Sequence, residues 1–250
     1  MPGTTIVIPC YNEAERLDVV AFQDFVAKNP EIRFLMVDDG SKDKTGEVLE
    51  QLQSHDPERL GVVALEKNGG KAEAVRQGMV QAIQEGANIV GFWDADLATP
   101  LEVVPEFVKI LEEQEGLESV FGSRVQLMGR KIERKMKRHY MGRIFATWAG
   151  WMLGLRIYDT QCGAKLFRVN DRVKRYFVEP FLSGWIFDVE ILARMIKARR
   201  DDDQAPAMEH SVYEFPLMAW RDVGGSKVRG RDAWRAMIDL MRIRRKYLKG

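Results

Sequence analysis

The chain has only two cysteines, Cys10 and Cys162, far apart and outside any paired-cysteine spacing. That excludes a disulfide framework and a cysteine-rich zinc site, and it fits a reducing compartment. Long apolar runs are missing too. The longest uncharged stretch of the second half, Ile144–Leu155, is twelve residues, against the ~20 that a helix needs to cross a bilayer. The first residues lead straight into an apolar segment at Thr5–Pro9, without a basic leader or a small-residue cleavage site, so export is not expected. Neither sign of charge dominates: 38 Lys and Arg stand against 37 Asp and Glu, which argues against a nucleic-acid partner. There is no Gly-x-x-x-x-Gly-Lys-Ser/Thr and no Gly-x-Gly-x-x-Gly loop, which disfavours a P-loop NTPase or a nicotinamide dehydrogenase. Repeats and low-complexity tracts are absent, and Asp201-Asp202-Asp203 reads as a solvated turn.

What is present alternates. Short apolar runs at Thr5–Pro9, Ile32–Asp38, Gly61–Leu65, Ile89–Asp94 and Ser119–Ser123 are mostly separated by helical patterns, which predicts a mainly parallel sheet with helices on both faces. Val75, Met79, Ala82 and Ile83 form one helical stripe, and Val103, Val104, Phe107, Val108 and Leu111 another. Thr99, Pro100 and Glu102 suit the start of the latter as cap, first position and capping-box acid. We expect one domain over residues 1–250, read in three parts: 1–124, 125–228 and a basic C-terminal helix at 229–250.

In such sheets ligands meet the loops beyond the carboxyl ends of the strands. Four such loops carry polar motifs: Tyr11-Asn12-Glu13, Asp38-Asp39-Gly40-Ser41, Lys67-Asn68-Gly69-Gly70-Lys71 and Asp94-Ala95-Asp96. Two carboxylates at i, i+2 where a strand ends can both reach one hard cation. Mg²⁺ or Mn²⁺ then keeps positions for the phosphate oxygens of a nucleoside diphosphate. Taken alone, the same spacing also suits two turn aspartates. Asp38 and Asp39 suit ribose hydroxyls or base edges, and equally an Asx turn, with Ser41 or Asp43 capping a helix from Thr45. The Gly69-Gly70 amides and the Lys71 ammonium suit a diphosphate, and the glycines also suit a plain turn.

The second half changes character. Gly129–Arg143 holds seven Lys and Arg (Arg130, Lys131, Arg134, Lys135, Lys137, Arg138, Arg143) against the single acid Glu133, and Trp148 and Trp151 follow. That composition predicts a helix, or a pair, lying at a membrane surface. A second apolar-faced helix, Asp232–Leu248, ends in Arg242, Arg244, Arg245, Lys246 and Lys249.

In order and at ordinary spacing, Ile6-Val7-Ile8-Pro9-Cys10-Tyr11-Asn12-Glu13, Val37-Asp38-Asp39-Gly40-Ser41, Gly70-Lys71 and Asp94-Ala95-Asp96 resemble the signatures of glycosyltransferase family 2. Gly122-Ser123-Arg124, the stretch Asp159 to Phe167, Phe187-Asp188-Val189-Glu190, and Trp220 with Gly225-Ser226-Lys227 resemble its dolichyl-phosphate β-glucosyltransferase branch, related to the dolichyl-phosphate mannose synthases. The resemblance implies a GT-A fold, α/β with C-terminal amphipathic helices, inversion at the anomeric carbon, and Mg²⁺ or Mn²⁺ held by Asp94 and Asp96. It implies donor-site roles for Pro9, Tyr11, Asn12, Glu13, Asp38, Asp39, Gly70, Lys71, Asp94, Ala95 and Asp96. A polyprenyl or dolichyl phosphate acceptor would then meet residues among Arg124, Gln161, Lys165, Arg168, Arg221, Ser226 and Lys227, with Asp96, Arg124, Asp188 and Lys227 nearest the chemistry.

The expected reaction moves a hexose, glucose from UDP-glucose, onto the lipid phosphate; mannose from GDP-mannose is an alternative. A sugar-hydroxyl acceptor would instead need a carboxylate base such as Asp188, which a helix start would also explain. A non-catalytic nucleotide-sugar binder is disfavoured by the retention of both Asp94 and Asp96. The expected place is cytoplasmic, peripheral on the cytoplasmic face of a membrane, with room for a membrane-protein partner.

Overall fold

The computed structural model describes residues 3–133, 136–202, 204–223 and 230–249. Strands β1 (Thr4–Cys10), β2 (Ile32–Asp38), β3 (Leu60–Ala64) and β4 (Ile89–Trp93) alternate with helices α1 (Val19–Lys28), α2 (Thr45–His55) and α3 (Lys71–Gln84). A 3-10 turn, Leu101–Val103, leads into α4 (Val104–Glu113), then β5 (Ser119–Ser123), β6 (Lys131–Glu133) and α5 (Met136–Leu153). There follow β7 (Ala164–Arg168), α6 (Asp171–Val178), α7 (Phe187–Arg200), the single turn α8 (Met208–Ser211), β8 (Val212–Pro216), β9 (Ala219–Arg221) and α9 (Gly230–Ile243). The last helix runs on as a π-helical turn, Arg244–Leu248.

Seven strands form one sheet in the order β3-β2-β1-β4-β7-β5-β8, and β6 and β9 form a second, parallel pair. Strands β1 to β4 are parallel, β7 is antiparallel to both its neighbours, and β8 is parallel to β5. Residues from both halves of the sequence thus share one sheet.

The apolar runs look continuous because both faces of the sheet are covered, and alternation sorts them. Ile6, Ile8, Phe34, Met36 and Trp93 turn to the layer of α1 and α4. Val7, Leu35, Val37, Val90 and Phe92 turn to the layer holding α3, α6 and α7. Phe34, fully buried, takes Phe22 edge-on at 5.1 Å and Phe25 at 5.5 Å.

Three local expectations need correction. Thr99 does not cap α4: it is buried, its carbonyl accepts the Trp93 indole N–H at 2.8 Å, and Pro100 precedes a 3-10 turn instead. Pro105 is the proline that sits in the first turn of α4. The basic stretch is not one helix, because Lys131–Glu133 pairs with Ala219–Arg221 as strands before α5 begins. The C-terminal helix turns its apolar side, Ala236, Leu240, Ile243 and Tyr247, inward to the core cluster of α7. Among the described residues no helix is long and apolar enough to cross a membrane.

Candidate active site

The loops after β1 and β2 are tied together by their own polar side chains. Asn12, with φ +53°, donates its amide to Ser41 Oγ at 3.0 Å and accepts the Lys42 amide on Oδ1 at 2.9 Å. The Glu13 amide donates to Thr45 Oγ1 at 2.8 Å. Asp43 Oδ1 accepts the Thr45 amide at 3.0 Å at the start of α2, whereas Asp38 Oδ1 accepts the Ser41 amide at 2.9 Å in an Asx turn. Asp38 lies within this frame, Pro9 half-buried behind it and Tyr11 exposed in front.

Asp39 departs from the sequence expectation. Its buried carboxylate accepts the Gly69 amide at 2.7 Å and the Gly70 amide at 2.8 Å. A carboxylate out of water requires donors, and the two amides just before α3 supply them at the positive end of the helix. Asp39 thereby holds the loop, and the Gly69 and Gly70 amides are directed at its carboxylate. Gly70 makes this turn possible at φ +86°, a conformation costly for any side chain.

The same turn delivers Lys71. Its ammonium forms an ion pair with Asp94 Oδ1. Burial works against that charge, but Asp94, Asp188 and Asp96 around it prevail and hold its pKa above the usual lysine range. Asp94 is seated by close approach of Gly163, whose carbonyl accepts the Asp94 amide at 3.0 Å. A Cβ on Gly163 would fall inside the Asp94 carboxylate. Asp96 Oδ1 accepts the Ala98 amide at 3.1 Å, and Leu97 between them has φ +50°. Ala95, between the two acids, is buried in the core cluster.

Negative charge accumulates here. Burial first, then Asp94, pushes the Asp96 carboxyl above its usual range. Burial also raises Glu13, with Asp96 and Asp43 adding to it and the Arg16 ion pair at 2.6 Å opposing it. Glu13 Oε2 is buried without a hydrogen-bond partner. A crowded set of oxygen anions with one orphaned oxygen fits a hard divalent cation. Among the described residues no third acid completes an all-protein cage, and Mg²⁺-type sites typically combine one or two carboxylates with substrate phosphates.

Next to Asp94 lies a recess formed by the second half. Arg124 donates from Nε to Asp159 Oδ2 at 2.6 Å and from Nη2 to Oδ1 at 2.8 Å, and its guanidinium lies 5.2 Å from the Trp220 ring centroid. The Tyr158 and Asp159 amides donate to the Glu214 carboxylate at 2.8 and 2.9 Å. Burial, helped by Asp159, raises the Glu214 carboxyl. From α5, the Arg143 guanidinium lies 3.7 Å over the Tyr158 ring and donates to the Tyr158 carbonyl at 3.0 Å. Arg124, Arg143, Tyr158 and Asp159, with Gly142, Ala146, Thr160 and Gln161, line the recess. The Thr160 hydroxyl is buried without a partner. Beyond it, α5 exposes Tyr140, Ile144, Trp148 and Trp151 on one helical stripe.

Several expected residues lie elsewhere. Lys165 is fully buried in β7, donating to Asp188 Oδ1 and the Cys162 carbonyl, both at 2.5 Å. It cannot meet an acceptor, and Asp188, held by it, is not placed as an open general base. Arg168 sits at the opposite end of the sheet, paired with Ile89, and donates to the carbonyls of Leu111, Leu117 and Gln114. The reason is strand direction: β7 runs antiparallel to β4, starting beside Trp93 at Ala164 and leaving the site by roughly 13 Å over four residues. Arg221 is exposed, its amide bonded to the Ala98 carbonyl at 3.0 Å near Asp96. Ser226 and Lys227 lie outside the described residues, as do the side chains of Arg134, Lys135, Lys137 and Arg138. Arg143, Tyr158 and Thr160 were not expected as recess residues. The small residues Gly142, Ala146 and Gly150 at i, i+4, i+8 were the available signal, since they mark the face of α5 that approaches a neighbour closely.

The glycosyl transferase family 2 profile matches residues 5–173. The chain is 32% identical to a dolichyl-phosphate beta-glucosyltransferase of Mus musculus, the match covering 98% of this chain and 76% of the relative. The corresponding Saccharomyces cerevisiae enzyme is 31% identical, with 98% and 75% covered. A polyprenol monophosphomannose synthase of Mycolicibacterium smegmatis is 26% identical, with 94% and 84% covered. Among solved structures, glucosyl-3-phosphoglycerate synthase of Mycobacterium tuberculosis, in complex with Mn²⁺, UDP and glucosyl-3-phosphoglycerate, superposes with a TM-score of 0.64 at 18% identity, covering 97% of this chain and 80% of that one. With a family profile over most of its length, a strand order that sets four polar loops at one sheet end, and a GT-A neighbour across the whole fold, the chain belongs to glycosyl transferase family 2 and is a glycosyltransferase.

Proposed function

We propose that this enzyme transfers glucose from UDP-glucose, with inversion, to a polyprenyl or dolichyl phosphate at the cytoplasmic face of a membrane. The observation that carries this reading is the recess lined by Arg124 and Arg143 near the loop that seats Asp94, beside a helix, α5, whose other face exposes Tyr140, Ile144, Trp148 and Trp151. A phosphate on an apolar chain matches both parts: charge for the head, an apolar surface for the tail. The relatives named for dolichyl-phosphate glucosylation support the sugar and the acceptor.

Asp94 and Asp96 would hold Mg²⁺ or Mn²⁺, which when bound neutralises the diphosphate as it leaves. The residues do the rest. Asp38, Asn12, Tyr11 and Glu13 frame the nucleoside side, and the Lys71 ammonium stands ready for the diphosphate. The acceptor phosphate monoester is mostly dianionic at neutral pH, its second pKa being about 6, so it attacks without a general base. That agrees with Asp188 being tied to Lys165. Asp159 takes Nε and Nη2 of Arg124, so the phosphate would meet Nη1, with Arg143 lining the same recess. Catalysis is then positioning plus charge compensation on both faces of the sugar.

Radiolabelled UDP-glucose, incubated with the enzyme, Mn²⁺ or Mg²⁺ and a short-chain polyprenyl phosphate, is expected to yield organic-extractable label, with GDP-mannose much poorer. Label confined to water-soluble products would overturn the acceptor. For the membrane, the chain is expected to co-sediment with anionic liposomes at low salt. Serine at both Trp148 and Trp151 should weaken that binding roughly tenfold, since each buries apolar surface in the interface. Equal sedimentation of the double variant would exclude α5 as the contact.

A further inference from the structure

Two carboxylates from distant parts of the chain act on the Lys71 charge. Asp94 comes from the end of β4 and forms the direct ion pair, while Asp188 comes from the first turn of α7. Asp188 is close enough to act on the Lys71 charge, and its own Oδ1 is anchored by the buried Lys165. Charges therefore alternate through the site: Lys165, Asp188, Lys71, Asp94. Lys71 begins α3, where a cation opposes the helix dipole, so the local helix gives no reason for a lysine there. The carboxylates give the reason.

A divalent cation and an ammonium cannot share the same carboxylate oxygen at contact distance, because like charges there repel strongly. We propose that Lys71 is an exchangeable internal counter-ion: it competes with the divalent cation for Asp94 and turns to the diphosphate when cation and donor arrive. The proposal rests on the reading of Asp94 and Asp96 as cation ligands. It makes binding of cation and donor mutually dependent. The cation alone must displace Lys71, whereas the diphosphate offers the released ammonium new oxygen partners, so each ligand strengthens the other.

The test measures binding, not turnover. Mn²⁺ is titrated into the full chain and into Lys71→Met, with free Mn²⁺ followed by electron paramagnetic resonance, in the absence and presence of UDP. Lys71→Met is expected to bind Mn²⁺ alone about tenfold more tightly than the parent chain, as removing a competitor restores intrinsic affinity. UDP should then tighten Mn²⁺ binding less in Lys71→Met than in the parent. Lys71→Arg, which keeps the charge, should follow the parent. Melting curves confirm folding of each variant, and Lys71→Gln repeats the comparison with a polar side chain. Equal or weaker affinity of the uncharged variants for Mn²⁺ alone overturns the counter-ion while leaving the cation site standing. No Mn²⁺ binding by any of the proteins, with or without UDP, overturns the cation site and the counter-ion together.

Discussion

Asp96→Asn is expected to lower sugar transfer by about a thousandfold and to leave the protein at least as stable as before. The loss corresponds to roughly 4 kcal/mol of transition-state stabilisation, the order expected when a cation on the leaving diphosphate loses one of its two carboxylates. The stability argument has the opposite sign. Burial and Asp94 raise the Asp96 carboxyl in the folded state, so the fold prefers it protonated. Ionisation of Asp96 above its ordinary pKa then works against folding. Asparagine removes that penalty while still accepting the Ala98 amide. The expected melting temperature at pH 7.5 without added metal is therefore unchanged or higher, whereas both metal-supported turnover and Mn²⁺ affinity collapse. Near-parental turnover with added Mg²⁺ or Mn²⁺ would remove Asp96 from the chemistry.

Gly163→Ala reaches the same site from behind. Its methyl group would occupy the space of the Asp94 carboxylate, and the Gly163 carbonyl is itself bonded to the Asp94 amide. The carboxylate must swing away, and a displacement on the order of 1 Å in such a site costs about a hundredfold in rate. The overpacking costs about 1–3 kcal/mol, which a domain with this core tolerates. Gly116→Ala is the control, since nothing lies within 4 Å of its added Cβ, and it should leave transfer and melting unaltered. Retention of full transfer by Gly163→Ala would mean that the Asp94 side chain is not held by this contact.

Much of the architecture follows from local pattern. Ile32–Asp38 and Ser119–Ser123 form strands with the boundaries read from sequence, because an apolar run covered on both faces leaves a signal of its own. Val75, Met79 and Ala82 likewise turn to the core as the helical period requires. The loops after β1, β2, β3 and β4 gather at one end because parallel strands all finish there.

What stayed hidden is who meets whom. Asp39 follows Asp38 in the same strand-end motif, yet its carboxylate holds the Gly69 and Gly70 amides, about thirty residues further on, because burial obliges a carboxylate to find donors. Lys165 and Arg168 belong to the same block of sequence as Gly163, and only the antiparallel course of β7 makes Gly163 a wall of the site, Lys165 a buried counter-charge and Arg168 a far-side anchor. Arg143 became a recess residue through its stacking on Tyr158, a contact between a helix and a loop fifteen residues away.

By itself the sequence determined the class of fold, the family, and the polar motifs at the sheet's carboxyl end, since those depend on periodicity and on residue types at strand ends. Tertiary structure alone decided which charges face a ligand and which satisfy one another. A buried charge must find an opposite charge or hydrogen-bond partners in space, and distance along the chain says nothing of which partner lies nearest once the chain is folded.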